Sequence, residues 1–480
     1  MTRHFSLLLV GIFLALSGCN LTPQYTRPET PVPAEWPSGA AYQEIKAMAG
    51  APAATETSWQ AFFGDERLQQ IIDTALNNNR DLRLAALNVQ RARALYGIQR
   101  AELLPSVNGT ARWIKTRVPA DISGTEVAPT VQEFDVNLGI ASWEIDFFGR
   151  IRSLKDRALE QYLATEEARR SAQILLVSGV ASTYLALGAD REALNLAEST
   201  LETQRRAYDL IKRRYELGLA SELDLNQAQT QVDTARRNIS IYTQLAAQDE
   251  NALNLLVGSP SAVPRELLPA DLGTVRPPKE ISPGLSSEVL LFRPDIMAAE
   301  HQLKAANAYI GAARAAFFPR ISLTAAFGTA SGELSGLFKA GSDAWTFAPL
   351  IVMPIFDARL WSAYDATKVE KEIALTQYEK TIQMAFREVA DALAVRGTVD
   401  EQVSAQQSLV DALSRTYRLS VARYTKGIDS YLGVLDAQRF LFAAQQALIA
   451  IRLAKLANQV RLYAVLGGGS DPPIPHQGGS

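Results

Sequence analysis

Arg214-Tyr215-Glu216-Leu217-Gly218-Leu219-Ala220-Ser221 returns 209 residues later as Arg423-Tyr424-Thr425-Lys426-Gly427-Ile428-Asp429-Ser430. The register holds beyond this stretch. Leu223 matches Leu432, Ala228-Gln229 matches Ala437-Gln438, and Gly258 matches Gly467. Upstream the spacing is 214, pairing Asp81 with Asp295, Ala92 with Ala306, Gly97 with Gly311, Arg100 with Arg314 and Pro105 with Pro319. The change of spacing falls between Pro105 and Arg150, which pairs with Arg359. Alanine-rich helices always match a little, but shared positions for Gly, Pro, Tyr and Arg do not follow from composition. The chain contains one unit twice.

Each unit has the same internal order. A helical stretch comes first, about 67–103 and 285–318, and stops near Pro105 or Pro319, where a helix loses a donor and meets the ring. Two strand-like runs follow. Then come proline-free regions, 130–259 and 355–471, in which apolar residues recur at helical spacing, as in Leu175, Val180, Tyr184 and Leu187. These predict long helices folded back at Gly218 and Gly427. From Arg150 to Tyr215 such a helix would extend roughly 100 Å at 1.5 Å per residue, far beyond an ordinary globular helix. It has to lie beside others like it.

The strand runs alternate. Phe134, Val136, Leu138 and Ile140 oppose Glu133, Asp135, Asn137 and Gly139. Val107, Ala111 and Trp113 oppose Asn108, Thr110 and Arg112, and Ile321, Leu323 and Phe327 oppose Ser322, Thr324 and Gly328. The fourth run, Trp345 to Ile355, is apolar on nearly both faces. The pattern suits a membrane barrel wetted inside or a soluble half-buried sheet, and periodicity does not separate the two. In lipid, however, open sheet edges are not tolerated, and the smallest spanning barrels have about eight strands. Four strands in a membrane therefore require several chains to share one barrel.

The N-terminus carries a weakly basic start, Arg3-His4, an apolar run from Phe5 to Leu16, and Leu16-Ser17-Gly18-Cys19. The run is too short to span a bilayer and reads as a signal peptide ending in a lipobox, with Cys19 as the acylated mature N-terminus. Cys19 is the only cysteine among 480 residues, so no disulfide forms within the chain. Asn20 follows it, which by resemblance to sorted lipoproteins favours the outer membrane. Residues up to 58 are rich in Pro, Ala and polar residues and read as an extended tether. Acids and bases nearly balance at a net charge of −3, and no basic cluster is interleaved with aromatics, which argues against a nucleic-acid partner. His4, His301 and His476 are scattered, so no metal set is expected. No phosphate loop or nucleophile elbow is present, and no enzyme is expected.

The repeat, the lipobox and the hairpin tips together resemble the TolC-like outer membrane factors, most closely their OprM-type lipoprotein branch. The resemblance runs from about Cys19 to Gly469 through Trp143-Glu144-Ile145-Asp146-Phe147-Phe148-Gly149-Arg150, Arg293-Pro294-Asp295-Ile296, Gly311-Ala312-Ala313-Arg314-Ala315-Ala316-Phe317-Phe318-Pro319, Val434-Leu435-Asp436-Ala437-Gln438-Arg439 and Leu466-Gly467-Gly468-Gly469. It implies an α+β membrane protein: a homotrimer whose twelve-stranded β-barrel, four strands per chain, continues into a long periplasmic α-helical barrel. The organisation expected is a signal at 1–18, a lipid-anchored tether at 19–60, repeat one at 61–259, an equatorial linker at 260–284, repeat two at 285–469 and a tail at 470–480. The implied role is the passive exit duct of a tripartite multidrug efflux pump. Its implied partners are a periplasmic adaptor, an inner-membrane resistance-nodulation-division transporter and outer-membrane lipid, with no cofactor beyond the lipid on Cys19. The alternative is the exit duct of a type I protein or peptide secretion system.

Two sites follow from the resemblance. Arg214, Gly218 and Ser221, with Arg423, Gly427 and Ser430, are the tips that would meet the adaptor. The glycines suit left-handed helix ends, and Ser221 and Ser430 suit N-caps, with Asp224 completing a capping box. Leu432 and Asp436 lie one turn apart on the returning helix and would line the periplasmic gate. The sequence departs from the TolC pattern one turn before Asp436. Gly433 stands where a second carboxylate would, and Asp224 is its counterpart in repeat one. For the anchor, Cys19→Ser should abolish lipidation while most of the protein stays in the membrane. Intact-mass measurement of the mature N-terminus checks it, and an unmodified residue 19 would refute the lipoprotein reading.

Overall fold

The computed structural model describes residues 20–42, 54–124, 126–282 and 286–470, so Cys19 lies outside the described residues. The first repeat contains helices α1 (Glu66–Asn78) and α2 (Arg80–Ala101), strands β1 (Val107–Arg117) and β2 (Thr130–Ile145), and helices α3 (Arg150–Glu216) and α4 (Glu222–Val257). The second contains α5 (Pro294–Ala315), β3 (Arg320–Ser331), β4 (Asp343–Val352), α6 (Ala358–Thr425) and α7 (Tyr431–Val465). Two compact units result. Among the described residues, one holds the sheet, with 20–29, Asn88–Glu166 and Ala298–Tyr378; the other holds those of Thr30–Leu87, Glu167–Met297 and 379–470.

Two expected helices are shorter than the pattern implied. The stretch 67–103 breaks at Asn79, which is extended (ψ 133°). Its side-chain oxygen accepts the Leu82 amide at 2.9 Å and its nitrogen donates to the Leu256 carbonyl at 2.8 Å. Capping the next helix is thus coupled to a distant contact. The stretch 285–318 opens as a 3-10 turn, Ser287–Phe292, and the α-helix begins only at Pro294. Proline favours the first helical position and forces the residue before it to be extended, as Arg293 is. Both helices end four residues short of the prolines that signalled their stops, at Ala101 and Ala315.

The four strands form one antiparallel sheet in the order β1-β2-β3-β4. Register decides its faces, because residues directly opposite share a side. Trp113 faces Phe134, Leu138 faces Phe327, and Phe327 faces Trp345. Beyond Ile140 the alternation in β2 breaks, since a bulge with Ser142 at φ 53° inserts one residue. The bulge keeps Trp143 opposite Leu323 and Ile145 opposite Ile321, so the apolar face continues with its phase reversed. From Ile145 to Phe134 that face covers roughly 25–30 Å along the barrel axis, at about 3.3 Å per residue and a strand tilt of about 40°. The other face carries Asn108, Thr110, Arg112, Asp135, Asn137, Ser322 and Thr324. Here Arg112 Nε donates to Asp135 at 2.8 Å and Asn137 to the same carboxylate at 2.7 Å.

The strand-to-helix joint explains the 143–150 stretch. Arg150 reaches Glu144 through two bonds of 2.8 Å, and Asp146 accepts the Ile151 and Arg152 amides at 3.0 and 2.8 Å. A carboxylate on the first free amides of a helix satisfies orphan donors and complements the dipole.

The segment expected as a tether is extended, but its described part is docked. In the sheet unit, Asn307 donates to the Pro23 carbonyl at 2.7 Å, Thr22 and Ser153 hydroxyls meet at 3.0 Å, and Arg27 donates to Glu300 at 2.6 Å. A Cβ on Gly311 would collide with Thr22, so this glycine makes the slot in which the segment lies. In the other unit Ser287 donates to the Ala34 and Pro33 carbonyls at 2.8 and 2.7 Å, and Trp36 stacks on Phe386 at 5.3 Å. Proline and alanine composition misled because a strap needs few apolar residues when polar groups of the helices satisfy its backbone.

Asp190 on α3 and Asp249 on α4 face each other within hydrogen-bonding reach, and one Asp249 oxygen is fully buried. Burial, then the Asp190 charge, pushes the Asp249 carboxyl up to about 6. The folded state holds this proton more tightly than the unfolded chain, so its contribution is complete below the unfolded carboxyl range. It is lost as pH rises through about 6. Asp249→Asn should raise the melting temperature by a few degrees at pH 7.5 and flatten its decline from pH 5.5. A melting temperature with unchanged pH dependence would refute this.

Candidate functional site: the hairpin tips and the returning helix

Both tips have the same backbone. At the first, the Leu219 amide bonds to the Arg214 carbonyl at 2.7 Å and the Gly218 amide to the Tyr215 carbonyl at 2.9 Å. At the second, Ile428 bonds to Arg423 at 3.0 Å and Gly427 to Tyr424 at 2.9 Å. This is the Schellman arrangement, which needs a left-handed residue, and Gly218 and Gly427 each have φ 72°.

The side chains that close the two turns differ. Ser221 accepts the Asp224 amide at 3.1 Å, while Asp224 accepts the Ser221 amide at 3.2 Å, a complete capping box. Ser430 sits at the matching N-cap position, but its side chain makes no cap bond, contrary to the expectation that both serines cap. There the Gly433 amide bonds to the Ser430 backbone carbonyl instead, at 3.3 Å, and Gly433 has no carboxylate to return a bond as Asp224 does. The second tip is held instead by Arg423, whose guanidinium grips Asp429 through Nε and through Nη2 at 2.9 Å. That contact holds the exposed Asp429 carboxyl below its ordinary range. Ala220 occupies the place of Asp429 in the first tip, so Arg214 has no such partner and lies over the Tyr424 ring, 5.1 Å from its centre.

Arg214 and Tyr424 belong to different repeats, and the two hairpins pack together around Tyr431. Tyr431, Val434 and Leu435 are buried with Ile211 and Ala228, and Tyr208, Leu225, Tyr417 and Tyr424 close around them. Burial pushes the Tyr431 hydroxyl up, with Tyr417, Tyr424 and Asp224 adding to the effect. Tyr431 belongs to no motif in the sequence, and its place directly after Ser430 is the one signal that marks it as an anchor for the turn.

Burying one side of α7 leaves the other open. Leu432 is 52% exposed and Phe440 60%, and the Asp436 side chain is 46% exposed. Leu432, Asp436, Arg439 and Phe440 therefore form one outward stripe, with Arg439 Nη1 3.8 Å from Asp436. Arg439 stands in the family-like stretch, and its i to i+3 spacing from Asp436 is what marks the pair. Asp224, the further gate candidate, accepts the Ser221 amide through one carboxylate oxygen.

A sheet with one apolar and one polar face, joined by each repeat to a long helical hairpin, defines an outer-membrane channel fold. A family model described as outer membrane efflux protein matches residues 71–259 and 285–468. The chain belongs to the outer membrane efflux protein family. It is 50% identical to the toluene efflux pump outer membrane protein TtgF of Pseudomonas putida, over 98% of each chain. It is 42% identical to the outer membrane protein OprJ of Pseudomonas aeruginosa, over 98% of this chain and 97% of that one. Among solved structures, the open state of the MtrE outer membrane channel of Neisseria gonorrhoeae superposes with a TM-score of 0.84 at 35% identity, over 95% of this chain and 99% of that one.

A Cβ at either tip glycine enters open space, so the cost of replacing it is conformational. Gly218→Val and Gly427→Val should each weaken the turn by about 1–2 kcal/mol. Hydrogen exchange at the Leu219 and Ile428 amides should then accelerate about tenfold or more. Unchanged exchange would mean that these turns do not depend on the left-handed residue.

Proposed function

We propose that three copies of this chain share one twelve-stranded barrel in the outer membrane, and that their helical hairpins form a periplasmic tube. The assembly is the passive exit conduit of a tripartite efflux pump that expels drugs, solvents and other small toxic compounds. The observation that carries this reading is the sheet. Its apolar face matches the hydrocarbon thickness, and β1 and β4 each leave an edge without a partner strand. A single chain cannot close those edges, and other copies can. Helix α7 supports the same assembly, since only 11% of its most apolar window is buried within one chain.

In this reading Cys19 carries the lipid anchor. The tips at Arg214, Gly218 and Ser221 and at Arg423, Gly427 and Ser430 meet a periplasmic adaptor, which couples the duct to a proton-driven inner-membrane transporter. The outward stripe of α7 faces the axis, where three Asp436 carboxylates form a ring beside three Leu432 side chains. Like charges that close repel one another and attract multivalent cations. Arg439, at the edge of ion-pair distance, tempers each carboxylate without neutralising it. The names of the relatives, which include toluene and antibiotic efflux proteins, favour small molecules over polypeptides as cargo.

The test combines assembly and conduction. Detergent-extracted protein should have a trimeric native mass and should conduct in planar bilayers. Asp436→Ala should weaken block by a trivalent cation about tenfold or more, because binding there depends on several carboxylates together. Leu432→Ala should raise conductance and leave cation block unchanged. A monomeric channel would overturn the shared barrel, and undiminished block in Asp436→Ala would place the acidic ring elsewhere.

A further inference from the structure

The two ends of the apolar face treat their cations differently. At the end nearest the long helices, four arginines flanking the strands have a carboxylate from the same chain. Arg150 and Arg320 hold Glu144, at 2.8 and 3.7 Å; Arg152 holds Asp146 at 3.2 Å; and Arg359 holds Asp357 at 2.8 Å. Aromatic rings cluster there as well, with Phe148 stacked on Phe318 at 4.8 Å and Phe317 edge-on to Trp361 at 5.0 Å.

The opposite end has an aromatic limit too. Trp113 on β1 and its partner Phe134 on β2 stack at 5.9 Å with their rings 8° from parallel. Beyond them β1 continues for two more residues on the same face, Lys115 and Arg117. Directly opposite stand Gln132 and Thr130, which are neutral. Both cations are exposed, and neither has a hydrogen-bond or carboxylate partner among the described residues. The turn that follows carries Asp121 and Glu126, and neither lies within ion-pair distance of them; the Asp121 carboxylate accepts the Ile122 amide at 3.1 Å.

These residues stand on the lipid-facing side, just past the apolar band, at the end away from the helices. In the shared-barrel reading proposed above, on which this inference rests, that height is the outer-leaflet head-group layer. A lysine or arginine at a barrel's interface is tolerated at little cost, and each is attracted to an anionic surface. Two cations on alternate residues, about 7 Å apart along a strand, can reach two separate anionic groups or straddle one. We propose that Lys115 and Arg117, floored by the Trp113–Phe134 stack, form a binding site for the phosphate groups of outer-leaflet lipid. Three symmetric copies would place six cations in a collar at one height around the barrel. Paired arginines at the inner end and unpaired cations at the outer end match a membrane in which only the outer leaflet supplies densely phosphorylated head groups to this face.

Full-length protein, extracted in detergent and mixed with lipid A or with lipid A stripped of its phosphates, tests the site by native mass spectrometry. Lys115→Gln/Arg117→Gln should lower retention of lipid A about thirty-fold, the factor that corresponds to roughly 1 kcal/mol for each cation at an anionic surface. Lys115→Arg/Arg117→Lys should retain it, which separates loss of charge from a folding defect. Arg359→Gln, at the inner end, should leave retention unchanged. Equal retention by the parent protein and the double Gln variant would overturn the site, and so would equal retention of the dephosphorylated lipid. Displacement of lipid A by millimolar inorganic phosphate would reassign the cations to free phosphate and overturn the lipid as ligand. A monomeric mass for the parent protein would bring down the barrel reading and the site with it, whereas a trimer indifferent to lipid phosphate removes the site alone.

Discussion

A backbone N–H or C=O in hydrocarbon has no water to turn to, and the outer edges of β1 and β4 present a full row of such groups. Much of the rest of the chain answers that condition. The apolar residues sit on one face, so the sheet can contact lipid on that side only. The polar face can be wetted only if the sheet curls closed. Closure requires strands from elsewhere, so the outward stripe of α7 and its exposed apolar window take on meaning only beside other copies.

Much of this could be read from residue order. The repeat was visible because glycine, proline, tyrosine and arginine recur in register, and these residues hold turns and joints where few others serve. The fold-back points followed from Gly218 and Gly427, whose left-handed backbone leaves little alternative. The bulge at Ser142 was not legible, because one inserted residue merely ends an alternation and a reader then expects the strand to end. The break at Asn79 was hidden for a different reason. Its cap is local, but the contact that secures it, to the Leu256 carbonyl, is 177 residues away. At the tips, the glycines were legible and the clasps were not. Both serines precede an available backbone amide three residues on, yet only Ser221 accepts it through its side chain, and the role of Arg423 depends on Asp429 reaching back across the turn.

The stretches by which the chain resembles its family prove to be joints. Glu144, Asp146 and Arg150 weld strand to helix. Arg293, whose side chain is 11% exposed, is held between Asp295 and Glu388 and donates to the Val465 carbonyl at 2.7 Å. Removing both carboxylates would leave an enclosed charge without a counter-charge, which is strongly destabilising. Tyr463 stacks on Phe62 at 3.9 Å and donates to the Thr57 carbonyl at 2.6 Å, just before the Gly467-Gly468-Gly469 turn. Such residues hold neighbouring elements in place. They identify the architecture and say little about cargo.

The two clasps at the tips respond differently to dissolved salt. The Ser221–Asp224 box is made largely with backbone amides at fixed short range, and counterions do little to it. The Arg423–Asp429 clasp is an exposed pair of opposite charges, with side chains 54% and 42% accessible. The range over which such charges feel each other shrinks from about 30 Å at 0.01 M ionic strength to about 8 Å at 0.15 M. Two turns with one backbone therefore differ in salt dependence: the 2.9 Å contact of the second lies well inside either range, so added salt weakens its clasp only slightly, while the first stays as it is.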